Sequence, residues 1–373
     1  MRFVIFTHSL VSDWNHGNAH FLRGVATELV SSGHCVRIFE PADGWSRQNL
    51  LREAGETSIE AFERAYPLIR SELYRESELD LDDTFADADV VIVHEWNSHS
   101  LVRRIGEHHR QDARYRLYFH DTHHRSVTDP RSMAAFSLSA YDGVLAYGNV
   151  IRDIYRRRGW AANAWTWHEA ADTNVFRPLA DSSGEKDGDL VWIGNWGDKE
   201  RSAELTEFLI EPAKALRLRA RVYGVRYPDD ALRALDRAGI EYGGWLPNYR
   251  APEVFSRHRV TVHIPRRPYA RDLPGIPTIR PFEAMACGIP MVSAPWSDSE
   301  HLFRPGLDFL FANDGREMIR KLEKALSEPF VANALTENGL ETIRARHTCR
   351  HRVDELMRIT GLEERASAAG GIV

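Results

Sequence analysis

The stretch PTIRPFEAMACGIP, from Pro277 to Pro290, carries one carboxylate in an otherwise largely apolar run. Pro281 suits a helix start, Gly288 a helix stop, and Pro290 bars continuation into the next strand. Glu283 then falls in the first helical turn, where the macrodipole tolerates negative charge. A carboxylate there can accept two hydrogen bonds from a vicinal diol, such as the 2′- and 3′-hydroxyls of a ribose. The backbone amides from Ile279 through Arg280 to Phe282, at the same helix end, can receive a diphosphate. A solvent-facing glutamate at a helix start is the alternative meaning.

Other polar groups stand just past apolar runs. Trp14, Asn15, His16, Gly17 and Asn18 form a loop that opens a helix, and Gly17 would let backbone approach a ligand with amides exposed. RLYFHDTHHRSVTD (116–129) sets His120, Asp121, His123 and His124 beyond a strand end. Two histidines three apart can ligate zinc, but no further Cys or acidic spacing completes a set, so no metal is expected. His94, Glu95 and Trp96 follow another strand, and His168, Glu169 and Asp172 close the amino half. Glu95 and Glu169 are the carboxylates placed to act as a base, and each can equally cap or pair structurally. In the carboxyl half, DLVWIGN leads into Gly194, Asn195, Trp196 and Gly197, with Lys199 and Arg201 beyond. Basic residues on a loop are ordinarily just solvated.

These groups need a scaffold that delivers them to one edge. Short β-rich runs begin at Val4, Cys35, Val90, Arg116 and Gly143, with helical stretches between. Leu22, Val25, Ala26 and Leu29 share one helical face and Gly33 follows as a stop. A second series begins at Asp189, Arg219, Arg259, Ile289 and Asp308. Alternation of this kind implies parallel βαβ units, and such sheets bind ligands at the carboxyl ends of their strands. The crowded polar stretch RPLADSSGEKDGD reads as a linker. The expected α/β organisation is therefore two Rossmann-like domains facing each other across a cleft, the first at 1–176 and the second at 190–345, a layout that suits holding two different substrates. A linker covers 177–189 and a closing helix at 346–362 can pack back on the first domain. A flexible tail covers 363–373.

The bulk composition narrows the class. A chain of 373 residues exceeds the usual single core. A formal charge of -6 argues against nucleic acid as the main partner. No apolar run of about 18 residues exists, so no transmembrane segment is expected. The first apolar run is brief and lacks a small-residue cleavage site, which indicates a cytoplasmic setting. Cys35, Cys287 and Cys349 lie far apart without Cys-x-x-Cys spacing, so neither a disulfide framework nor a zinc site is indicated.

GIPTIRPFEAMACGIPMVSAPWSDSEHLFRPGLDFLFAND, from Gly275 to Asp314, resembles the carboxyl-terminal domain of GT-B glycosyltransferases, in the branch of the CgeB-like spore-maturation proteins. RHTCRHRVDELM (346–357) resembles that branch's last helix, and Ser12 to Val36 its amino-terminal loop and helix. The resemblance implies that Glu283 holds the nucleotide ribose. It also implies that a cation beyond Gly194 clamps the diphosphate, Arg201 first and Lys199 second. An arginine often follows that glycine in relatives, whereas this chain has Asn195. Trp245 and Leu246, in EYGGWLPNYRAPEVF, would lie against the nucleotide base, although core packing explains an isolated Trp as well. His120 with Asp121 would contact the transferred sugar. Retaining GT-B enzymes carry a second glutamate eight positions before the ribose one, and here Gly275 stands in that place.

The combined reading is a metal-independent, hexosyltransferase-like glycosyltransferase without a cofactor, using a nucleoside diphosphate sugar as donor substrate. His16, Gly17, Asn18, Glu95 and His168 would line the acceptor side. Two rivals use the same residues: a nucleotide-sugar epimerase or hydrolase on the same scaffold, and a non-catalytic nucleotide-sugar-binding protein.

Overall fold

The computed structural model describes residues 1–179, 184, 186–197 and 199–362. The middle of the expected linker, 180–183 and 185, and the expected tail at 363–373 lie outside the described residues. Contacts divide the chain into two units, Met1–Glu169 with the segment from Cys349 onward, and Ala170–Thr348. The division comes ahead of position 176 because the chain after Glu169 pairs with the second unit. Ala171 N donates to His347 O at 2.8 Å and Ala171 bridges Thr348.

The first unit is built on seven parallel strands: β1 Arg2–Phe6, β2 Cys35–Pro41, β3 Ser71–Tyr74, β4 Val90–His94, β5 Arg116–Asp121, β6 Gly143–Ala146 and β7 Ala164–Thr166. Their order is β3-β2-β1-β4-β5-β6-β7. β4 is buried along its whole length, as a strand covered on both faces must be. The helix Ala19–Ser31 buries Leu22, Val25, Ala26 and Leu29, and Gly33 follows it at φ +83°. The helix Cys349–Thr360 belongs to this unit and packs on Ala19–Ser31. Trp167 Nε1 donates to Arg352 O at 2.8 Å within the same contact region.

One buried cation organises the loop after β1. Arg23, 0% exposed, donates to Leu10 O and Val11 O at 2.8 Å each and pairs with Asp13 at 2.9 Å. Glu40 supports the same loop by accepting from Leu10 N at 2.6 Å. Replacing Arg23 by alanine takes the guanidinium away from the Asp13 carboxylate and from two carbonyls in the interior. The expected loss is about 3–5 kcal/mol, read as a lower denaturant midpoint; an unchanged midpoint would show that the loop is held otherwise.

The second unit has six parallel strands: β8 Gly188–Ile193, β9 Ala220–Tyr223, β10 Ile240–Tyr242, β11 His258–His263, β12 Met291–Ser293 and β13 Leu310–Phe311. They lie in the order β10-β9-β8-β11-β12-β13. Both sheets thus reverse their strand order once, between β1 and β4 in the first unit and between β8 and β11 in the second. A reversal opens a crevice at the carboxyl ends of the two strands that flank it. Among the described residues no helix is long and apolar enough to cross a membrane.

Candidate functional site

In the second unit the crevice is flanked by the loops after β8 and β11. Arg201 reaches back into it, donating through Nη2 to Asn195 O at 2.6 Å and Asn195 Oδ1 at 2.9 Å, and through Nη1 to Ile264 O at 3.0 Å. Its guanidinium lies over the Trp192 ring at 5.0 Å. Two glycines make room for this seat. A Cβ at Gly194 would stand 2.8 Å from the Trp192 ring and 3.2 Å from Arg201 Nη2, and one at Gly197 2.9 Å from Arg201 Cγ.

Arg266, at the end of the loop after β11, was not visible as a candidate in the sequence. It donates to Asn195 Oδ1 at 3.0 Å and to Glu200 Oε2 at 3.0 Å. Asn195 therefore serves as the hub between two guanidinium groups. Burial first, and then the charges of Arg266 and Arg280, pull Arg201 down to about 9, so it remains a cation at neutral pH. Its Nε is buried without a hydrogen-bond partner among the described residues. His263, also buried, is brought to about 3 by burial and then by the Arg201 charge. Lys199 is exposed and left-handed at φ +71°.

The helix Ile279–Ala286 begins two residues before Pro281, after Thr278 at φ +63°. Glu283 is accordingly beyond the first turn, which contains no acidic residue. This corrects the sequence-based placement, and the charge is balanced locally rather than by the helix dipole. The carboxylate is 0% exposed; Oε1 accepts from Asn248 Nδ2 at 2.7 Å and Oε2 from Arg280 Nη1. Gly288 at φ +71° closes the helix, with Gly288 N on Met285 O and Ile289 N on Ala284 O. Ile279 and Phe282 bury their side chains, so only their backbone is offered. Gly275 has φ +92°, and a Cβ there would stand 2.6 Å from Glu300 Oε1. The Glu300 carboxylate fills the space a side chain at 275 would need. Trp245 and Leu246 are half-buried on the loop after β10.

In the first unit the crevice between β1 and β4 gathers imidazoles. The rings of His8 and His16 are 3.9 Å apart, those of His8 and His94 5.4 Å, and those of His16 and His94 6.3 Å. Burial, first in each case, holds all three well below the ordinary histidine value, His8 at about 3. His120 lies deeper: it is 0% exposed, edge-on to Trp167 at 4.9 Å and to His94 at 5.4 Å. Neither of its ring nitrogens has a hydrogen-bond partner among the described residues. Register explains this position, since His120 pairs with His94 inside the sheet and not beyond its end.

The acidic candidates are absorbed by local pairing. Glu95, 0% exposed, accepts from Thr122 N at 3.0 Å and from Arg125 Nη2 at 2.8 Å. Asp121 accepts from Tyr155 OH at 2.9 Å and His123 N at 3.1 Å, and burial followed by the Glu95 charge pushes it well above the carboxylate range. Asn18 is buried and donates to Glu169 Oε1 at 2.9 Å. His168 is half-buried and Gly17 exposed; the left-handed residue of that loop is Asn15, at φ +54°. Among the described residues no group of three or more His, Cys, Asp or Glu is arranged to hold a metal ion.

The imidazoles also set acid stability. A histidine held below its ordinary value in the folded state adds stability above pH 6.5 and loses it as pH falls towards the folded value. For His94 and His120, both 0% exposed, the loss is at most about 1.4 kcal/mol each per pH unit. Such histidines include His8, His16, His94 and His120 in the first unit and His258 and His263 in the second. Hydrogen exchange on acidification below about pH 6 is expected to expose β1, β4 and β5 before β8 and β11; the reverse order would contradict it.

Residues 201–358 match the family model described as glycosyl transferase-like. An alpha-glucosyltransferase solved with UDP and a 13-mer DNA containing a HMU base is similar in fold, with TM-score 0.67 and 12% identity over 97% of this chain and 99% of that one. Anabaena HepE in complex with UDP gives TM-score 0.65 and 13% identity over 97% and 100%. Sucrose-phosphate synthase from Thermosynechococcus elongatus gives 0.63 and 14% over 99% and 100%. No curated protein sequence matches the chain. At such identities the structures speak to the fold alone, which is GT-B.

Proposed function

We propose that this chain is a GT-B glycosyltransferase that moves a hexosyl unit from a nucleoside diphosphate sugar to an acceptor, without a metal or other cofactor; the family match over residues 201–358 and the GT-B fold support the reading. The observation that carries this reading is the meeting of Arg201 and Arg266 on Asn195 at the reversal between β8 and β11, with the Arg280 charge near enough to act on Arg201. Arg266 and Arg280 are paired with Glu200 and Glu283. Arg201 bonds only carbonyl and amide oxygens among the described residues, so this end of the parallel strands keeps a net cation, which suits a dianionic leaving group better than a neutral ligand.

In this reading the bond from the anomeric carbon to the diphosphate oxygen breaks, a bond from that carbon to an acceptor oxygen forms, and the acceptor proton passes to the departing diphosphate. Arg201 and Arg266 neutralise the diphosphate as charge builds on it, with backbone amides near Ile279 assisting. Lys199 can add a further cation from outside. Glu283 takes the ribose once Arg280 has moved to the phosphates, and Trp245 and Leu246 border the base. The first unit takes the acceptor. The deep burial of His120 and Asp121 suits support of the His94 layer, and a sugar contact by His120 would need that layer to open. Membership of the CgeB-like branch and a cytoplasmic setting belong to the same proposal; three free cysteines are in keeping with the latter.

The test is incubation of the full chain with UDP-, GDP-, dTDP- and ADP-sugars. Slow release of one nucleoside diphosphate without acceptor is the expected result. A changed sugar still attached to its nucleotide would replace transfer by epimerisation, and binding without release would leave a non-catalytic protein.

A further inference from the structure

We propose that the acceptor is a neutral carbohydrate, laid along an aromatic strip at the carboxyl edge of the first unit's sheet. The strip consists of Trp14, Trp45 and Trp96 with His8, behind which the buried His16 and His94 are packed. Trp45 is 55% and Trp96 43% exposed, unusual for the largest apolar side chain when it stands at a crevice mouth. Their rings form two groups around the same crevice. Trp14 meets Trp45 at 5.0 Å, and His8 lies 3.9 Å from His16 and 6.0 Å from Trp96. The loops after β1, β2 and β4 supply these residues, so they surround the strand-order reversal.

Charge decides the class of ligand. The three arginines packed about the strip are each paired: Arg23 with Asp13 at 2.9 Å, Arg47 with Glu40 at 3.1 Å and Arg125 with Glu95 at 2.8 Å. Arg125, stacked on Trp96 at 4.1 Å, therefore brings a rigid support for the ring rather than an unbalanced charge. The imidazoles are neutral at physiological pH because burial disfavours their charged form. A phosphate, a nucleic acid backbone or an anionic lipid would find no uncompensated cation there.

A neutral imidazole offers one donor and one acceptor, which matches hydroxyl groups that both donate and accept. His8 Nδ1 is buried without a hydrogen-bond partner among the described residues and supplies one such position. Pyranose rings present a C–H face to an aromatic ring and hydroxyls at their rim. Exposed indoles beside the His8 imidazole suit both parts of such a ring.

The proposal rests on the transferase reading, yet its test is separate from donor binding. The full chain is applied to a broad array of neutral and acidic glycans, with a single-stranded oligonucleotide and phosphatidylglycerol vesicles alongside. Binding is expected to neutral glycans, weakened about tenfold or more by Trp96→Ala and by Trp45→Ala and largely kept by Trp96→Phe. Strongest binding to an acidic glycan, the oligonucleotide or the vesicles would overturn it, as would no glycan binding or alanine variants equal to wild type. Titration with UDP, GDP, ADP and dTDP runs in parallel and is expected to be unaltered by Trp96→Ala. If glycans bind but no nucleotide does, the donor reading fails while the carbohydrate strip stands. Nucleotide binding without glycan binding would overturn the strip and leave the donor reading in place.

Discussion

Replacing Arg201 by alanine is expected to lower turnover by about 10²–10³-fold, the usual scale for removing one preorganised group that stabilises transition-state charge. The residue has a structural duty as well. It donates to the carbonyls of Asn195 and Ile264, and so links the loops after β8 and β11. Alanine leaves those acceptors short of a donor, with an expected stability loss of about 1–3 kcal/mol. Turnover must therefore be compared under conditions where both proteins are folded. Arg201→Lys keeps the charge but not the forked geometry and should fall between the two. Arg266→Ala separates the roles more cleanly, since Arg266 bonds only the side chains of Asn195 and Glu200 through its guanidinium. Single-turnover measurement with the preferred donor reads both variants, and unchanged rates would remove them from the mechanism.

Glu283→Ala is expected to weaken nucleotide binding by about 10–100-fold, the loss of one or two hydrogen bonds to a charged acceptor. The ion pair with Arg280 complicates the sign. Without Glu283, the Arg280 guanidinium is released towards the phosphates and can recover part of the loss. Ribose recognition is isolated by comparing each nucleotide with its 2′-deoxy form. The wild type should discriminate between them, and the Glu283 variant should not. Equal discrimination in both proteins would show that the diol is held elsewhere. The buried contact with Asn248 at 2.7 Å also predisposes the variant to some loss of stability, to be checked by denaturant titration.

Most of the scaffold is legible in the sequence because buried parallel strands announce themselves. VVIV at β4 and VIF at β1 are apolar on both faces and can lie only inside a covered sheet. The strands that the pattern does not disclose are at or near the margins. β3 has the sequence SELY with two exposed residues, and β10 is IEY with two exposed residues. An edge strand needs burial on less of its surface, so its sequence resembles a loop.

The site is legible in part. Arg201, Asn195 and Glu283 can be placed along the chain, but what each touches cannot. Pro281 commonly opens helices and so points Glu283 to a first turn, whereas left-handed Thr278 starts this helix earlier. The ionic partner at Arg280 follows from three-residue helical spacing and could have been inferred. Arg266 could not: nothing near it in sequence indicates that β11 lies beside β8. The same limit hides His8 and its approach to His94, which depend on the pairing of β1 with β4. His120 ends an apolar run and so reads as lying past the strand, yet register sets it beside His94 with no outlet to solvent. Long-range strand order, not local pattern, decides these cases.

The central claim is that the arginines at the β8 and β11 ends receive a diphosphate. Its most direct test is calorimetric titration of nucleoside diphosphates against the matching monophosphates, using UDP, GDP, ADP and dTDP with the wild type and with Arg266→Ala. For at least one base, the diphosphate should bind the wild type more tightly than the monophosphate by about tenfold or more, and the variant should lose most of that difference. Equal affinity for the two forms, or a difference that survives in Arg266→Ala, would contradict the account.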